Sequence, residues 1–479
     1  MTRLQDDYLP QIDDGNRPLY IRIADAIERD IDTGALPSGS RLPPMRNLAF
    51  DIGVTIGTIS RAYNLIADRG LVAGEVGRGT YVLARNNGNH PGDNAQSGLL
   101  PPPFRSLDIT EGLTAPLNLD TTSAIHVGQD EIIRLQFNAI AESMPHIMVD
   151  YVHGVPDSWK EAGAMLLSAN GFKPSPDTMA ATNGAHAGIM AIIMTVTSPG
   201  DRIVFETTTY SSVARSAALA GRRIIETPID EHGLIPEEFE KLCARQHPRL
   251  LYLMPSLHNP TLAHLPARRR EQLAEICRRY NVWILEDAVY APLSDDTDIP
   301  IAALCPELTF HVGSLSKTVS SALRAGWVSC PQGYATRIQT AHRMFSGGGS
   351  WPMKELASQL ILSGETASIL RNVKDAIRSR TRMLEEELQG YSITTSPHCP
   401  FAWLKLPEPW LSGTFRSALL ERGMMVSHED DFKPARSELT LHAVRIAFSS
   451  PRSNNRLKQA FSEIRDLLES GMAGHAAIT

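Results

Sequence analysis

The spacing of apolar residues predicts a small helical unit at the start of the chain. Five of them recur at helical intervals: Leu19, Ile23, Ala26, Ile27 and Ile31. We therefore expect an amphipathic first helix that ends near Gly34. A loop at 37–44, a short second helix, a turn at Gly53 and a third helix at about 55–68 follow. The alternating, glycine-rich stretch 71–83 predicts a two-stranded hairpin. Together these elements predict a winged helix-turn-helix over residues 1–84.

The rest of the chain has a different rhythm. Residues 85–104 are polar and rich in Gly, Asn and Pro, so we place a linker at 85–114. Beyond it, short apolar strands alternate with helical patterns, at 202–206, 249–254, 282–287 and 307–314. This βαβ order predicts a mainly parallel sheet with helices on both faces, an α/β domain at 115–350. A helical stretch at about 352–389 then leads into a small α+β segment, and 351–479 forms the last domain.

Charge is distributed unevenly along the chain. The net charge of −7 argues against a nucleic-acid partner. However, residues 41–85 hold six Arg and three acidic residues, whereas residues 1–40 hold four Arg and eight acidic residues. This net positive segment within an acidic protein is where an anionic partner would bind. A second arginine cluster (268–270, 278 and 279) indicates an exposed helix face rather than another DNA site.

The cysteine spacing and the hydropathy argue against several classes of protein. The five cysteines lie far apart, with no C-x-x-C pair, so we predict neither a disulfide framework nor a metal site. The N-terminus has no apolar signal region, and the longest apolar stretch (187–196) is too short to cross a bilayer. We expect a cytoplasmic protein that makes no use of a membrane.

Residues in the α/β region match the needs of a pyridoxal phosphate site: a lysine, an anion for the ring nitrogen, donors for the 3′-oxygen and a phosphate cup. Lys317 follows an apolar strand, with Ser314, Ser316 and Arg324 nearby to bind phosphate. An exposed lysine in a serine-rich loop is the competing interpretation. Asp287 ends another apolar strand, where it would face the ring nitrogen; a helix cap is the commoner use of such an aspartate.

Other polar residues complete this pattern, each with a structural alternative. Tyr290 and Asn259 would donate to the 3′-oxygen, although Asn259 precedes Pro and fits a simple turn. Tyr210 would stack on the ring or merely pack, and Arg445 would bind a carboxylate or form a surface ion pair. Three residues start an apolar helix whose backbone N–H groups suit phosphate, or form an ordinary N-cap: Gly184, Ala185 and His186.

The order of these motifs resembles the fold type I aminotransferases over roughly residues 115–479: T-N-G-A, Y, H-N-P, D-A-V-Y, S-L-S-K, R and R. The resemblance implies that Lys317 forms the internal aldimine with pyridoxal 5′-phosphate and that Asp287 pairs with its ring nitrogen. It assigns the 3′-oxygen, ring stacking, phosphate and α-carboxylate to the residues given above, and Tyr151 to the phosphate of a partner subunit. Two residues depart from the pattern, His258 and His186, where Gln is often found.

The first 85 residues resemble the GntR-type DNA-binding domain through PLYIRIADAI, LPSGSRLPPMRNLA, GVTIGTISRAYNLIADRGLV and GRGTYV. In such domains the third helix enters the major groove and the wing contacts the backbone or minor groove. The resemblance implies these DNA contacts: Arg46, Thr58, Ser60, Arg61, Arg78 and Thr80. Ile56 stands where Arg is common, so the operator of relatives cannot be transferred.

The fusion of the two parts resembles the MocR group of regulators. It implies a homodimer that binds promoter DNA and senses a small amine, an amino acid or pyridoxal phosphate itself, with residual aminotransferase chemistry but no physiological turnover. Two alternatives stay open at this point. The chain would be a working aminotransferase with an accessory DNA-binding domain, or a DNA-binding protein whose large domain holds no cofactor.

Overall fold

The computed structural model describes residues 8–13, 15, 17–37, 39–75, 79–82, 116–149, 154–435, 437 and 439–476. The chain divides into two units, residues 1–109 and 110–479. The finer domain boundaries stay predictions. The linker, Arg78 and Tyr151 lie outside the described residues. No helix among the described residues is both long and apolar enough to cross a membrane.

The first unit consists of three helices and a hairpin: α1 (Leu19–Asp32), α2 (Met45–Ile52), α3 (Ile56–Asp68), β1 (Val72–Glu75) and β2 (Gly79–Val82). The two strands pair antiparallel. The apolar faces of the helices form one core, in which Ile23, Ile27, Leu48, Ile59 and Ile66 are fully buried. The winged helix-turn-helix predicted from the apolar spacing is therefore present.

Two local features set the angle between α2 and α3. Gly53 ends α2 in the left-handed region (φ 74°), which glycine adopts without a steric penalty. Thr55 caps α3, and its hydroxyl oxygen accepts a hydrogen bond from the Thr58 backbone N–H at 3.3 Å. The Tyr63 hydroxyl also donates to the Pro43 carbonyl (2.8 Å), which ties α3 to the loop before α2.

A short strand begins the described part of the second unit, β3 (Leu117–Leu119). A seven-stranded sheet forms its centre. In chain order, its strands are β4 (Met179–Thr182), β5 (Arg202–Glu206), β6 (Arg223–Thr227), β9 (Leu250–Leu253), β10 (Trp283–Asp287), β11 (Thr309–Ser314) and β12 (Gly326–Ser329). A small hairpin, β7 (Ile229–Asp230) and β8 (Gly233–Leu234), lies between β6 and β9.

The spatial order of the large sheet is β4-β12-β11-β10-β9-β5-β6. All neighbours are parallel except β12, which runs antiparallel to both β4 and β11. The mainly parallel sheet is confirmed. In such a sheet, ligands bind beyond the carboxyl ends of the strands, where β5, β10 and β11 end at Glu206, Asp287 and Ser314.

Helices flank this sheet: α4 (Gln129–Ser143), α5 (Asp157–Leu167), α6 (Ala185–Val196), α7 (Ser211–Leu219), α8 (Pro236–Gln246), α9 (Ala267–Tyr280), α10 (Ile301–Leu304) and α11 (Ala335–Ser346). The helical stretch predicted at 352–389 is two helices, α12 (Trp351–Leu362) and α13 (Glu365–Glu387). Gly364 separates them at φ 83°, a conformation that an α-helix cannot continue.

A second sheet of five strands follows. Its later strands are β13 (Ile393–Thr394), β14 (Phe401–Lys405), β15 (Met424–His428) and β16 (Ala443–Ala447), and two helices accompany them, α14 (Ser412–Glu421) and α15 (Asn454–Ala476). The fifth strand is β3, from the beginning of the unit, which pairs parallel to β15 at the sheet edge. Residues separated by about 300 positions thus become neighbours.

Candidate cofactor site and DNA-binding face

Lys317 lies in the loop between β11 and β12, beyond the carboxyl end of the large sheet. Its ammonium donates to the Thr122 carbonyl (2.8 Å) and to the Thr122 hydroxyl (3.0 Å), and it lies 5.6 Å from the centre of the Tyr290 ring. Burial, and then the neighbouring Arg445, lower the pKa of Lys317 to about 8. A lysine with this pKa has a far larger unprotonated, nucleophilic fraction near neutral pH than an ordinary lysine, although most of it is still protonated at pH 7.

Asp287 is the last residue of β10 and is 3 % exposed. Its carboxylate accepts hydrogen bonds from the Tyr252 hydroxyl (2.8 Å) and the Val289 backbone N–H (3.2 Å). Burial raises the pKa of Asp287, against the effect of these donors and of Lys317. A cationic partner is therefore favourable here, because it would restore the carboxylate form. A protonated ring nitrogen is such a partner.

Arg445 points from β16 of the small sheet and is also buried. Its Nη1 donates to Asn259 Oδ1 at 2.7 Å, and its Nη2 donates to the Asp120 carbonyl. The Nε atom is buried without a hydrogen-bond partner among the described residues. Since Asn259 Oδ1 is occupied by Arg445, the Asn259 amide NH2 is left to donate to another acceptor. Arg445 thus retains one donor without a partner among the described residues, and its guanidinium charge suits a carboxylate.

The start of α6 forms a close-packed cradle. Gly184 caps this helix at φ 83°, and a Cβ on Gly326 would lie 2.7 Å from the Gly184 carbonyl carbon and 2.9 Å from the Ala185 nitrogen. Arg324, at φ 47°, has its guanidinium beside Gly184. Backbone N–H groups at a helix start, together with an arginine, form a binding site for an anion such as phosphate.

His186 follows in the first turn of α6. Its Nε2 lies 3.2 Å from the Ser216 hydroxyl, and burial, with Arg324 nearby, lowers its pKa. Ser314 ends β11, and its hydroxyl oxygen accepts a hydrogen bond from the Ser316 backbone N–H at 3.4 Å. The structure thus brings the residues predicted for phosphate to the strand ends around the α6 N-terminus.

The predicted aromatic residues also lie in this region. Tyr290 is 2 % exposed, and its hydroxyl is 2.7 Å from the Thr122 hydroxyl. Tyr210 immediately precedes α7 and remains 36 % exposed, close enough to Tyr290 and Arg445 to affect their pKa values. Tyr210 therefore has the freedom to pack on a ligand.

Sequence reasoning missed three residues that contact this site. Thr122 and Asp120 follow β3, and their carbonyl groups accept hydrogen bonds from Lys317 and Arg445, respectively. The Tyr252 hydroxyl donates a hydrogen bond to Asp287. A single hydroxyl within the buried strand 250–253 was a usable signal, because a buried tyrosine needs a hydrogen-bond partner. No comparable signal marked Thr122, since only the pairing of β3 with β15 brings it here.

The interpretation of 268–270, 278 and 279 as one exposed helix face is wrong for Arg270. This residue is 1 % exposed and forms an ion pair with Asp296. Its Nε also donates to the Leu265 carbonyl at 2.8 Å. A buried guanidinium requires such partners, and Asp296 comes from a loop distant in sequence. Asp296 and Asp298 also lie near His264, but both carboxylates already accept hydrogen bonds from protein donors, Arg270 and the Ala267 backbone N–H.

The candidate DNA contacts lie on α2, α3 and the hairpin of the first unit. Arg46 on α2 and Arg61 on α3 are exposed, and neither forms an ion pair within the described part of the chain. Arg69, by contrast, bonds to Asp25 at 2.7 Å and to Glu28 at 2.5 Å. Arg46 and Arg61 are thus available to phosphates, whereas Arg69 is neutralised.

Thr58, Ser60 and Thr80 are half-buried. The Thr58 hydroxyl lies 2.9 Å from the Thr55 hydroxyl, so it supports the cap of α3 as well as facing outward. Ile56, the first residue of α3, is 49 % exposed. An apolar side chain therefore occupies the place where the GntR pattern commonly has Arg.

The donor set of the large unit fits pyridoxal 5′-phosphate. The fit rests on a lysine of lowered pKa, a buried carboxylate and a glycine-lined helix start beside Arg324. Pyridoxal 5′-phosphate is the cofactor of aminotransferases with this fold.

Comparisons with known proteins agree with both units. Residues 143–461 match the family Aminotransferase class I and II, and residues 19–82 match the gntR family of bacterial regulatory proteins. Among solved structures, the chain is similar to an archaeal alanine:glyoxylate aminotransferase, with TM-score 0.67, 21 % identity, and coverage of 74 % of this chain and 91 % of that one. It is also similar to LysN, the α-aminoadipate aminotransferase of Thermus thermophilus, with TM-score 0.66, 18 % identity and coverage of 77 % and 94 %.

Relatives that are named as regulators match most of the chain. The HTH-type transcriptional regulator YdeF of Bacillus subtilis (strain 168) is 27 % identical, over 96 % of each chain. The vitamin B6 salvage pathway transcriptional repressor PtsJ of Salmonella typhimurium is 26 % identical, over 89 % of this chain and 94 % of its own. The probable rhizopine catabolism regulatory protein MocR of Rhizobium meliloti is 24 % identical, over 77 % of each. The chain belongs to the aminotransferase class I and II family, and with its N-terminal GntR domain it has the combination of domains found in the MocR-type regulators.

Proposed function

We propose that the protein is a transcription regulator that binds promoter DNA as a homodimer and senses an amino compound, or pyridoxal phosphate itself, through its aminotransferase-like unit. The observation that carries the proposal is the combination of an intact lysine site with a GntR domain in one chain. A metabolic aminotransferase has no need of a DNA-binding domain. A DNA-binding protein without a cofactor has no need of a buried lysine beside a buried carboxylate.

Each residue has a separate task in this proposal. Lys317 holds the cofactor covalently, and Asp287 retains the proton on its ring nitrogen. The Asn259 amide and the Tyr290 hydroxyl hold the 3′-oxygen, and Tyr210 packs on the ring. The phosphate is bound by the α6 N-terminus with Arg324, Ser314 and Ser316. When bound, pyridoxal phosphate supplies an electrophilic carbonyl carbon that reacts reversibly with primary amines.

Arg445 provides selectivity for the effector. Its Nε has no hydrogen-bond partner among the described residues, and its guanidinium also packs 4.8 Å from the centre of the Phe432 ring. An amino acid would place its carboxylate on Arg445 while its amine competes with Lys317. We therefore favour an effector that carries both groups over a simple amine. Binding of such an effector would change the contacts of Lys317 and Arg445 without requiring turnover.

DNA binding requires the first unit and a second copy of the chain. Arg46, Arg61 and the hairpin would contact one half-site, and a homodimer would contact two. Because phosphate contacts release counterions, affinity should decrease steeply with salt. An effector that changes DNA affinity 5- to 150-fold corresponds to a coupling of about 1–3 kcal/mol.

The test combines spectroscopy with footprinting. We expect the full chain to show the visible absorbance of bound pyridoxal phosphate, and Lys317→Ala to lose it. We also expect a footprint upstream of a neighbouring gene that an amino acid alters in the wild type but not in Lys317→Ala. A footprint that no amine and no pyridoxal phosphate changes would refute the sensing part of the proposal.

A working aminotransferase is the second candidate, because Lys317, Asp287 and Arg445 are all in place. Rapid conversion of several amino acids with a keto acid would favour it. Slow, stoichiometric conversion would favour the regulator.

A further inference from the structure

Two buried ionisable side chains face each other behind the candidate cofactor site. Glu206, the last residue of β5, is 2 % exposed, and His258, in the loop after β9, is 1 % exposed. The His258 Nε2 lies 3.1 Å from the Glu206 Oε2. Both atoms are buried, and neither forms a hydrogen bond of good geometry within the described residues, so the two make a short polar contact rather than an aligned hydrogen bond. Since buried polar groups are costly without a partner, each side chain depends on the other.

The other ring nitrogen of His258 contacts a threonine. His258 Nδ1 lies 2.8 Å from the Thr261 hydroxyl, and that oxygen also accepts from the Ala263 backbone N–H at 3.4 Å. The Thr261 O–H can donate to Nδ1, and in that arrangement the neutral ring carries its proton on Nε2, on the side of Glu206. A protonated ring also presents an N–H at Nε2. In both cases, the Nε2 N–H lies on the side of the Glu206 carboxylate.

The loop that carries His258 is held in an unfavourable conformation. Leu257 and Leu262 both have positive φ, 49° and 62°, which costs non-glycine residues free energy. Two backbone bonds close the loop around His258: its N–H donates to the Ala263 carbonyl (3.1 Å), and its carbonyl accepts from the Leu262 N–H (2.7 Å). Such a conformation persists only where contacts outside the loop support it. Glu206, from a different strand, supplies one.

Asn259 is the next residue in this loop. Its Oδ1 accepts from Arg445, which leaves its NH2 for the 3′-oxygen of the cofactor. We propose that Glu206 and His258 are positioning residues that lock this loop and thereby hold the Asn259 amide toward the cofactor. The inference rests on the proposed cofactor site and adds to it a role for a histidine that stands where Gln is often found.

Four variants of the full chain separate this role from a general loss of stability: His258→Leu, His258→Gln, Glu206→Leu combined with His258→Leu, and Asn259→Ala. The readouts are the dissociation constant and the visible absorbance maximum of pyridoxal phosphate. We expect His258→Leu to weaken binding roughly 10-fold or more and to shift the maximum, because the buried Glu206 carboxylate loses the ring nitrogen that faces it. His258→Gln, which keeps a donor, should restore most of the affinity, and removing both partners should restore part of it.

The combination with Asn259→Ala is decisive. If the pair acts through Asn259, His258→Leu should have little further effect on the dissociation constant or the absorbance maximum in an Asn259→Ala background. Full additivity of the two substitutions would overturn the inference, as would unchanged binding in His258→Leu. A failure of the proposed cofactor site would give a different result: the wild-type chain would bind no pyridoxal phosphate, which would overturn both proposals.

Discussion

Gly326 offers a direct test of the phosphate cradle. A Cβ at this position would lie 2.7 Å from the Gly184 carbonyl carbon, about 0.7 Å closer than ordinary contact at 3.4 Å. The obstructing atoms are backbone, so a side-chain rotation cannot relieve the overlap. In Gly326→Ala, the start of α6 must therefore move away from β12. Overpacking of this kind costs about 1–3 kcal/mol.

We expect most of this cost to appear in cofactor affinity. Without ligand, the loop at Gly184 can relax outward, whereas phosphate binding requires its N–H groups to return. The dissociation constant of pyridoxal phosphate should rise about 5- to 150-fold, with a smaller effect on the thermal midpoint of the apo protein. Titration of apo protein, followed by absorbance and by calorimetry, measures both quantities.

Gly413 provides the matched control. It lies in α14, has no atoms within 4 Å of its Cβ position and has no positive φ. Gly413→Ala should leave cofactor affinity unchanged and stabilise the protein by up to about 1 kcal/mol. If Gly326→Ala binds pyridoxal phosphate as tightly as Gly413→Ala, the cradle does not hold the phosphate.

Three further outcomes follow from the geometry. With a pKa of about 8, Lys317 is about one-tenth unprotonated at pH 7, so the rate of cofactor uptake should rise about tenfold per pH unit below 8 and level off above it. A rate that still rises tenfold between pH 9 and 10 would contradict the lowered pKa. Thr55→Ala should destabilise the first unit by about 1 kcal/mol in denaturant titrations, while Thr55→Ser retains the cap of α3. Arg61→Ala should weaken DNA binding and reduce the salt slope by about 1, whereas Arg29→Ala, whose guanidinium pairs with Asp13, should leave the slope unchanged; equal slopes in both would exclude Arg61 as a phosphate contact.

Local patterns were sufficient for most of the fold. Apolar runs at 202–206, 282–287 and 307–314 became β5, β10 and β11, because strands buried on both faces read as continuous apolar segments. Helical spacing with turn glycines was sufficient for α1 to α3. Lys317 and Asp287 could be predicted as site candidates because parallel strands present their carboxyl ends at one edge.

Long-range contacts were not predictable in this way. The antiparallel direction of β12 and the entry of β3 into the small sheet depend on pairings between distant segments. The burial of Arg270 depends on Asp296, in a loop after the next strand. The sequence has a glycine at the break, Gly364, but the helical pattern on both sides of it predicted one continuous helix.

The position of β3 links the candidate ligand site to the beginning of the described part of the second unit. Asp120 and Thr122 immediately follow this strand, and they hold Arg445 and Lys317. Both cations therefore depend on one short strand at the edge of the small sheet, and any change that separates β3 from β15 would remove the partners of Lys317 and Arg445 together.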